Sequence, residues 1–255
     1  MTLPIDFIII RHGQSEANSR QQDPRDEVCG DFTPLTQRGI EQARVTGDWL
    51  RNTGLTRFDR YYTSPYVRAR QTAALLGLED TWSIDARWRE RNPGTASQDV
   101  NGVRQHKWYG RPYNGEALAT DVRRRFESIM DTVQQEASAR RIIAVAHGKF
   151  MTVARFVLEH MTVEEWLEKD QQELIENCQI LHYSRRHPET GAVALDMCWM
   201  RSICPWDCAR SWHNEQWVAL YQRTLNEEEW LETANRLGSK MLGEKSAACP
   251  FSPWV

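Results

Sequence analysis

The chain has 255 residues, 40% of them hydrophobic and 26% charged, with a formal net charge of −3. That length and apolar content suit one large domain or a domain with an appendage, and they argue against a mostly disordered chain. The slightly acidic balance argues against a general nucleic-acid or anionic-membrane footprint.

The opening Met1-Thr2-Leu3-Pro4 passes at once into Ile5–Ile10, an apolar run too short to span a bilayer and without a basic segment before it. No targeting signal is read, and a cytoplasmic protein is expected. The run is too uninterrupted for a one-sided surface strand and predicts a central strand of a parallel sheet, covered on both faces. Arg11-His12-Gly13 follows directly, then a loop over 19–34. Residues 35–52 predict a helix with an apolar stripe of Ile40, Ala43, Val45, Gly47 and Leu50, stopped near Gly54. A second strand is expected over 58–63, and Ser64-Pro65 ends it and opens a helix through Leu76.

Residues 92–115, rich in Gly, Pro and Asn, predict an irregular segment, and 116–139 a helix. The run Arg123-Arg124-Arg125 reads as a solvated face of that helix. A third strand over 141–146 runs into His147-Gly148, followed by helices over 149–160 and 163–169. Residues 178–183 and 192–197, around a Pro188–Gly191 turn, predict a hairpin. The alternation implies a three-layer α/β sandwich with a mostly parallel central sheet, helices on both faces and an antiparallel hairpin at the edge.

The pattern changes after residue 199. Trp206, Trp212 and Trp217, from a total of 11 tryptophans, precede a helix-like stretch over 226–242 opened by Asn226 and Glu229. We expect a catalytic domain over 1–199 and a Trp-rich extension over 200–255 that packs on the domain or faces a partner. Of six cysteines, Cys198, Cys204 and Cys208 lie close in sequence. They lack the second ligand pair of a usual zinc site, so free thiols are favoured and no metal is expected.

Three strands end in chemistry-bearing clusters: Arg11-His12, the helix carrying Arg68, and His147. Carboxyl ends of parallel strands face the ligand crevice. Two arginines and two histidines gathered there make a cationic pocket whose natural guest is a phosphate, with backbone amides at Gly13 and Gly148 as further donors.

The same residues carry a resemblance. Arg11-His12-Gly13-Gln14-Ser15-Glu16-Ala17-Asn18 resembles the R-H-G signature of the histidine phosphatase superfamily, which includes phosphoglycerate mutases. Leu35-Thr36-Gln37-Arg38-Gly39 is similar to its L-T-x-x-G element, and Ser64-Pro65-Tyr66-Val67-Arg68-Ala69-Arg70-Gln71-Thr72-Ala73 to its S-P-x-x-R-A-x-x-T-A element. Glu90 stands where the family places its acid. Gly115-Glu116-Ala117-Leu118 resembles the G-E-S-x helix start with Ala for Ser, and His147-Gly148 matches the second histidine. The likeness covers about residues 5–198, and six elements in order are specific where one would not be.

The resemblance implies that His12 becomes transiently phosphorylated, with its other ring nitrogen held protonated. Arg11, Arg68 and His147 stabilise the transferring phosphoryl group, Glu90 protonates the leaving oxygen and then activates water, and Asn18 contacts phosphate. Neither metal nor cofactor is implied. In Arg87-Trp88-Arg89-Glu90-Arg91 the rival reading pairs Glu90 with its flanking arginines on the surface, leaving Glu16 and Glu116 as substitute acids.

The sequence departs from many relatives after the acid, with Arg91-Asn92-Pro93-Gly94-Thr95 in place of an aromatic G-x-W-E-G stretch. Its segment up to Gly115 is shorter than the insertion of mutases and resembles a compact phosphatase branch, with Lys107-Trp108-Tyr109-Gly110-Arg111-Pro112. A short cap exposes the intermediate to water, which favours hydrolysis over mutase chemistry. The expected function is a metal-independent phosphomonoesterase acting on a phosphorylated small molecule or phosphopeptide. No nucleic-acid or membrane partner is expected, and a homo-oligomer is compatible. Arg104, His106, Lys107 and Arg111 are candidates for a second anionic group. The alternatives are a phosphoglycerate-type mutase and a phospho-ligand-binding scaffold that works through the extension.

Overall fold

The computed structural model describes residues 3–19, 30–78, 81–94, 108–135 and 141–220, together with 231 and 235. Its sheet has seven strands: β1 (Asp6–Arg11), β2 (Arg60–Thr63), β3 (Ser83–Ile84), β4 (Arg141–Ala146), β5 (Ile180–Ser184), β6 (Trp199–Ile203) and β7 (Val218–Ala219). They lie in the order β3-β2-β4-β1-β5-β6-β7. The first four are parallel to one another, and β5, β6 and β7 complete the sheet antiparallel.

β1 is central, between parallel β4 and antiparallel β5. Its continuous apolar run follows from burial on both sides. Phe7 and Ile9 join one core cluster and Ile8 and Ile10 the other, all fully buried. β4 divides in the same way, with Ile142, Ala144 and Ala146 on the first side and Ile143 and Val145 on the second. Each large side chain so buried contributes roughly 1.5–3 kcal/mol. Helices α4 (Arg123–Gln135), α5 (Gly148–Leu158) and α6 (Val163–Gln172) cover the first face with Phe126, Phe150 and Trp166. Helices α2 (Gln37–Asn52) and α3 (Val67–Leu75) cover the second with Leu50, Ala69 and Ala73. The expected three-layer α/β sandwich is the fold observed.

Several local expectations are corrected. The α2 stripe is Gly39, Gln42, Ala43, Thr46, Gly47 and Leu50, whereas Val45 is exposed. The strand paired with β5 is β6, not 192–197. The latter segment makes only an isolated bridge, Arg186 to Val193, around the 188–191 turn. The sheet therefore does not end at 199. β6 and β7 extend it to Ala219, and the first compact unit runs to Tyr221. Within it Trp206, Trp212 and Trp217 pack on the domain through Arg38, Arg155 and His182. The expected helix over 226–242 lies outside the described residues, apart from 231 and 235. The helix expected from 116 begins as a π-helical turn, Leu118–Val122, before α4. Arg125 is not solvated as expected for its run. It turns inward and donates to the carbonyls of Arg87 and Arg89 at 2.8 and 2.7 Å. Among the described residues no helix is long and apolar enough to cross a membrane.

Candidate active site

The parallel arrangement brings the ends of β1, β2 and β4 to one edge of the sheet, and with them Arg11, His12, Ser64 and His147. α3 begins just beyond β2 and carries Arg68 into the same place, and α5 starts at its N-cap His147.

His12 is buried, with both ring nitrogens committed. Nδ1 lies 2.7 Å from the Gly13 carbonyl, which can only accept, so Nδ1 carries the proton. Nε2 accepts from Arg68 Nε at 3.0 Å, which leaves its lone pair facing the guanidinium. Burial, then Arg11 and Arg68, hold the ring well below the usual histidine range. It is neutral near pH 7.

His147 is the second end of the same fork. Its Nδ1 faces Arg68 Nη2 at 3.3 Å, so Nδ1 accepts and Nε2–H donates to Ser64 Oγ at 2.7 Å. Burial, then His12 and Arg68, push His147 well below the ordinary range too. The two imidazoles meet edge to face with centroids 5.0 Å apart. Arg11 donates from Nη1 to the Ile175 carbonyl at 2.5 Å, and among the described residues its buried Nε has no hydrogen-bond partner.

The short motifs have a backbone rationale. A Cβ at Gly39 would lie 2.0 Å from the Gln14 carbonyl oxygen, and one at Gly13 would lie 2.5 Å from the Gly39 oxygen. Glycine at both positions lets the loop that carries His12 rest on the first turn of α2. Thr36 caps that helix by accepting from Gly39 N at 3.1 Å, while its own amide donates to Gln14 O at 2.9 Å. Thr72 accepts from Gly13 N at 3.0 Å and donates to Arg68 O at 2.8 Å, joining the first motif to the third. The Gly13 amide, expected as a phosphate donor, is therefore spent on Thr72. The Gly148 amide lies in the first turn of α5, where amides have no acceptor within the helix.

Glu90 joins the site from the other side. Its Oε1 accepts from Arg91 N at 2.8 Å and Phe150 N at 3.0 Å, and its Oε2 from Lys149 N at 3.1 Å. The carboxyl group thus sits on the amino end of α5, beside His147, where the helix dipole favours an anion. The flanking arginines do not take it. Arg89 pairs with Glu116 at 2.5 Å, and Arg91 donates to the Glu116 carbonyl at 2.8 Å. Glu116 also accepts from Arg125 at 3.1 Å and from Asn92 N at 2.9 Å, which commits it to structure. With Ala117 in place of Ser at the helix start, Asp121 supplies the missing acceptor, taking the Ala117 amide at 2.8 Å.

Asn18 is exposed at the rim, its Oδ1 accepting from Ser15 N at 3.2 Å and from Asn177 Nδ2 at 3.4 Å. Glu16 lies on the short helix α1 (Glu16–Ser19). Of the candidates for a second anionic group, Arg104, His106 and Lys107 lie outside the described residues, and Arg111 pairs with Asp121. Among the described residues no three His, Cys, Asp or Glu side chains are grouped so as to hold a metal ion. Cys178, Cys198, Cys204 and Cys208 are free thiols.

Ser64, Thr72, Arg125 and Asn177 were not singled out from sequence. Ser64 and Thr72 stand inside a quoted motif. Arg125 falls three residues after buried Val122 and four before buried Ile129, and that helical spacing places it at the margin of the apolar stripe. Asn177, which donates to the His12 carbonyl at 3.0 Å, has no local signal.

The arrangement pairs an imidazole lone pair with two guanidinium groups, a neutral imidazole and a carboxyl group, as transfer of a phosphoryl group to nitrogen requires. Known proteins share the sequence pattern and the fold. The phosphoglycerate mutase (2,3-bisphosphoglycerate-dependent) of Methylorubrum populi is 29% identical over 181 residues, which span 62% of this chain and 81% of that protein. The corresponding mutase of Methylobacterium sp. (strain 4-46) is 31% identical over 62% of this chain and 82% of its own length. Among solved structures, a mycobacterial glucosyl-3-phosphoglycerate phosphatase in complex with VO3 superimposes with a TM-score of 0.55 at 25% identity, covering 70% of this chain and 92% of that one. A phosphoserine phosphatase of Entamoeba histolytica shares the fold, with a TM-score of 0.55, 20% identity, and coverage of 71% and 91%. A family model, the histidine phosphatase superfamily (branch 1), matches residues 7–195. With that match spanning most of the chain and both motif histidines, this protein belongs to the histidine phosphatase superfamily.

Proposed function

We propose that the chain is a phosphomonoesterase that works through a phosphohistidine at His12 and needs no metal ion. The observation that carries this reading is the His12 ring, with Nδ1–H fixed on the Gly13 carbonyl and the Nε2 lone pair held against Arg68. Nε2 attacks phosphorus as the bond to the ester oxygen breaks. Arg11, Arg68 and the Gly148 amide receive the charge on the phosphoryl oxygens, and Glu90 gives its proton to the departing oxygen. In the second half-reaction Glu90 takes a proton from water, the water oxygen attacks phosphorus, and the P–N bond breaks to release inorganic phosphate. Asn18 contacts phosphate from the rim. The substrate is a phosphorylated small molecule or phosphopeptide, and the setting is cytoplasmic.

A second reading, a phosphoglycerate-type mutase, is favoured by the names of the sequence relatives. Hydrolysis is favoured by the shortness of the sequence between Asn92 and Glu116, at whose ends the Glu116 carboxylate binds Arg89, the Asn92 amide and Arg125. A panel of phosphate esters assayed with EDTA, beside His12→Ala, separates these readings. Turnover that survives chelation, vanishes in His12→Ala and needs no 2,3-bisphosphoglycerate is expected. Full loss on chelation with rescue by a divalent ion would overturn the metal-free mechanism. Isomerase activity dependent on the bisphosphate would make the chain a mutase.

A further inference from the structure

The family match ends at residue 195, yet three side chains beyond it grip one loop of the domain. Trp206 Nε1 donates to the Asn177 carbonyl at 2.6 Å, Arg210 Nη1 to Glu176 at 2.6 Å, and Trp212 Nε1 to the Leu174 carbonyl at 3.2 Å. The same loop holds the nucleophile from its other side. The Ile175 carbonyl accepts from Arg11, and Asn177 Nδ2 donates to the His12 carbonyl at 3.0 Å. Cys178 N donates to the Arg11 carbonyl at 3.0 Å, and Arg11 N returns a bond to Gln179 O at 3.1 Å.

We propose that residues 206–212 are a positioning device for His12, acting through the relay Trp206–Asn177–His12. The proposal rests on the phosphohistidine reading above. Among the described residues Asn177 is the one side chain bonded to the His12 main chain, and its own carbonyl is fixed by Trp206, whose ring lies near the Arg38 and Arg210 guanidinium groups. The chain around it is sharply turned, with Cys178 at φ +54°; Cys178 N also reaches the His12 carbonyl at 3.3 Å and Asn177 Nδ2 the Asn18 side chain at 3.4 Å, and the Trp206 bond fixes the Asn177 peptide that carries these contacts. A nucleophile displaced by a fraction of an ångström loses rate, whereas affinity for the phosphate follows the Arg11 and Arg68 charges, which neither substitution below removes.

The test uses the whole 255-residue chain with Trp206→Phe, which keeps an aromatic ring and removes the Nε1 donor, and Asn177→Asp, which replaces the donor facing the His12 carbonyl by an acceptor. Each should lower kcat on an aryl phosphate about tenfold. The inhibition constant of inorganic phosphate should stay within about twofold and the unfolding midpoint within a few degrees. The double variant should be no slower than the slower single variant, since both break one relay. An unchanged kcat in Trp206→Phe overturns the proposal, as does a loss that adds fully in the double variant or a parallel rise in the phosphate inhibition constant. If Trp206→Phe does not fold, Asn177→Asp decides by the same readings. A wild type without turnover or acid-labile phosphate would refute the proposed function instead, so the two failures are distinguishable.

Discussion

Arg68 Nε lies 3.0 Å from His12 Nε2, so the nitrogen proposed to attack phosphorus is covered by the cation proposed to receive the phosphate. The guanidinium holds Nε2 unprotonated and must yield its hydrogen bond when a phosphoryl group enters. Because Arg68 is also one cause of the lowered His12 pKa, removing its charge lets that pKa rise toward the ordinary value. Arg68→Gln should lower kcat/KM by about 10²–10³-fold and shift the acidic limb of its pH profile upward. An unmoved limb would assign it to another group.

Glu90→Gln separates acid help from positioning. Gln offers one acceptor oxygen, enough for Arg91 N and Phe150 N, and turns an NH₂ toward Lys149 N, which loses its acceptor. The fold should survive. Turnover of alkyl phosphates should fall about 10²–10⁴-fold, and that of an aryl phosphate, whose leaving group needs little protonation, far less. Equal losses on both would mean that Glu90 only positions the amino end of α5.

Ser64→Ala removes the acceptor of the buried His147 Nε2–H. An unsatisfied buried donor costs about 1–3 kcal/mol, which denaturant unfolding should register. Turnover should also fall as His147 turns away from Arg68. Unchanged stability would show that the imidazole finds another acceptor.

His12 and His147 both have folded-state pKa values below the ordinary value of 6.5. Below about pH 6.5 the unfolded chain binds protons that the folded site refuses, so the contribution is full above that pH and is lost as pH falls toward the folded values. The unfolding midpoint should decline between about pH 6.5 and 5. His147→Asn should flatten the decline, leaving a remainder from His12 and from His182, which burial also lowers. A slope identical to wild type would remove His147 from the account.

Arg11, His12, Arg68 and His147 were legible because strand ends and motifs announce them, and the apolar runs of β1 and β4 fixed the parallel core. The surroundings of Glu90 were not legible. Arg89 is extended, so alternate side chains point apart, sending both flanking arginines to Glu116 and Glu90 to α5. β6 was missed because its half-buried Arg201 and buried Ser202 find partners in His182 and Gln179, distant in sequence, whereas the more apolar 192–197 has none of these. The tie between Asn177 and His12 spans 165 residues and has no pattern to betray it.

The Glu116 clasp and the core position of Trp108 fix the chain on both sides of residues 95–107. Neither set of contacts draws on those residues, so the two ends keep their register independently of the sequence that joins them. Doubling the length of chain between fixed ends costs only about 0.6 kcal/mol of closure entropy. Residues inserted there should therefore leave the stability of the domain, and the placement of His12 and Arg68, almost unchanged.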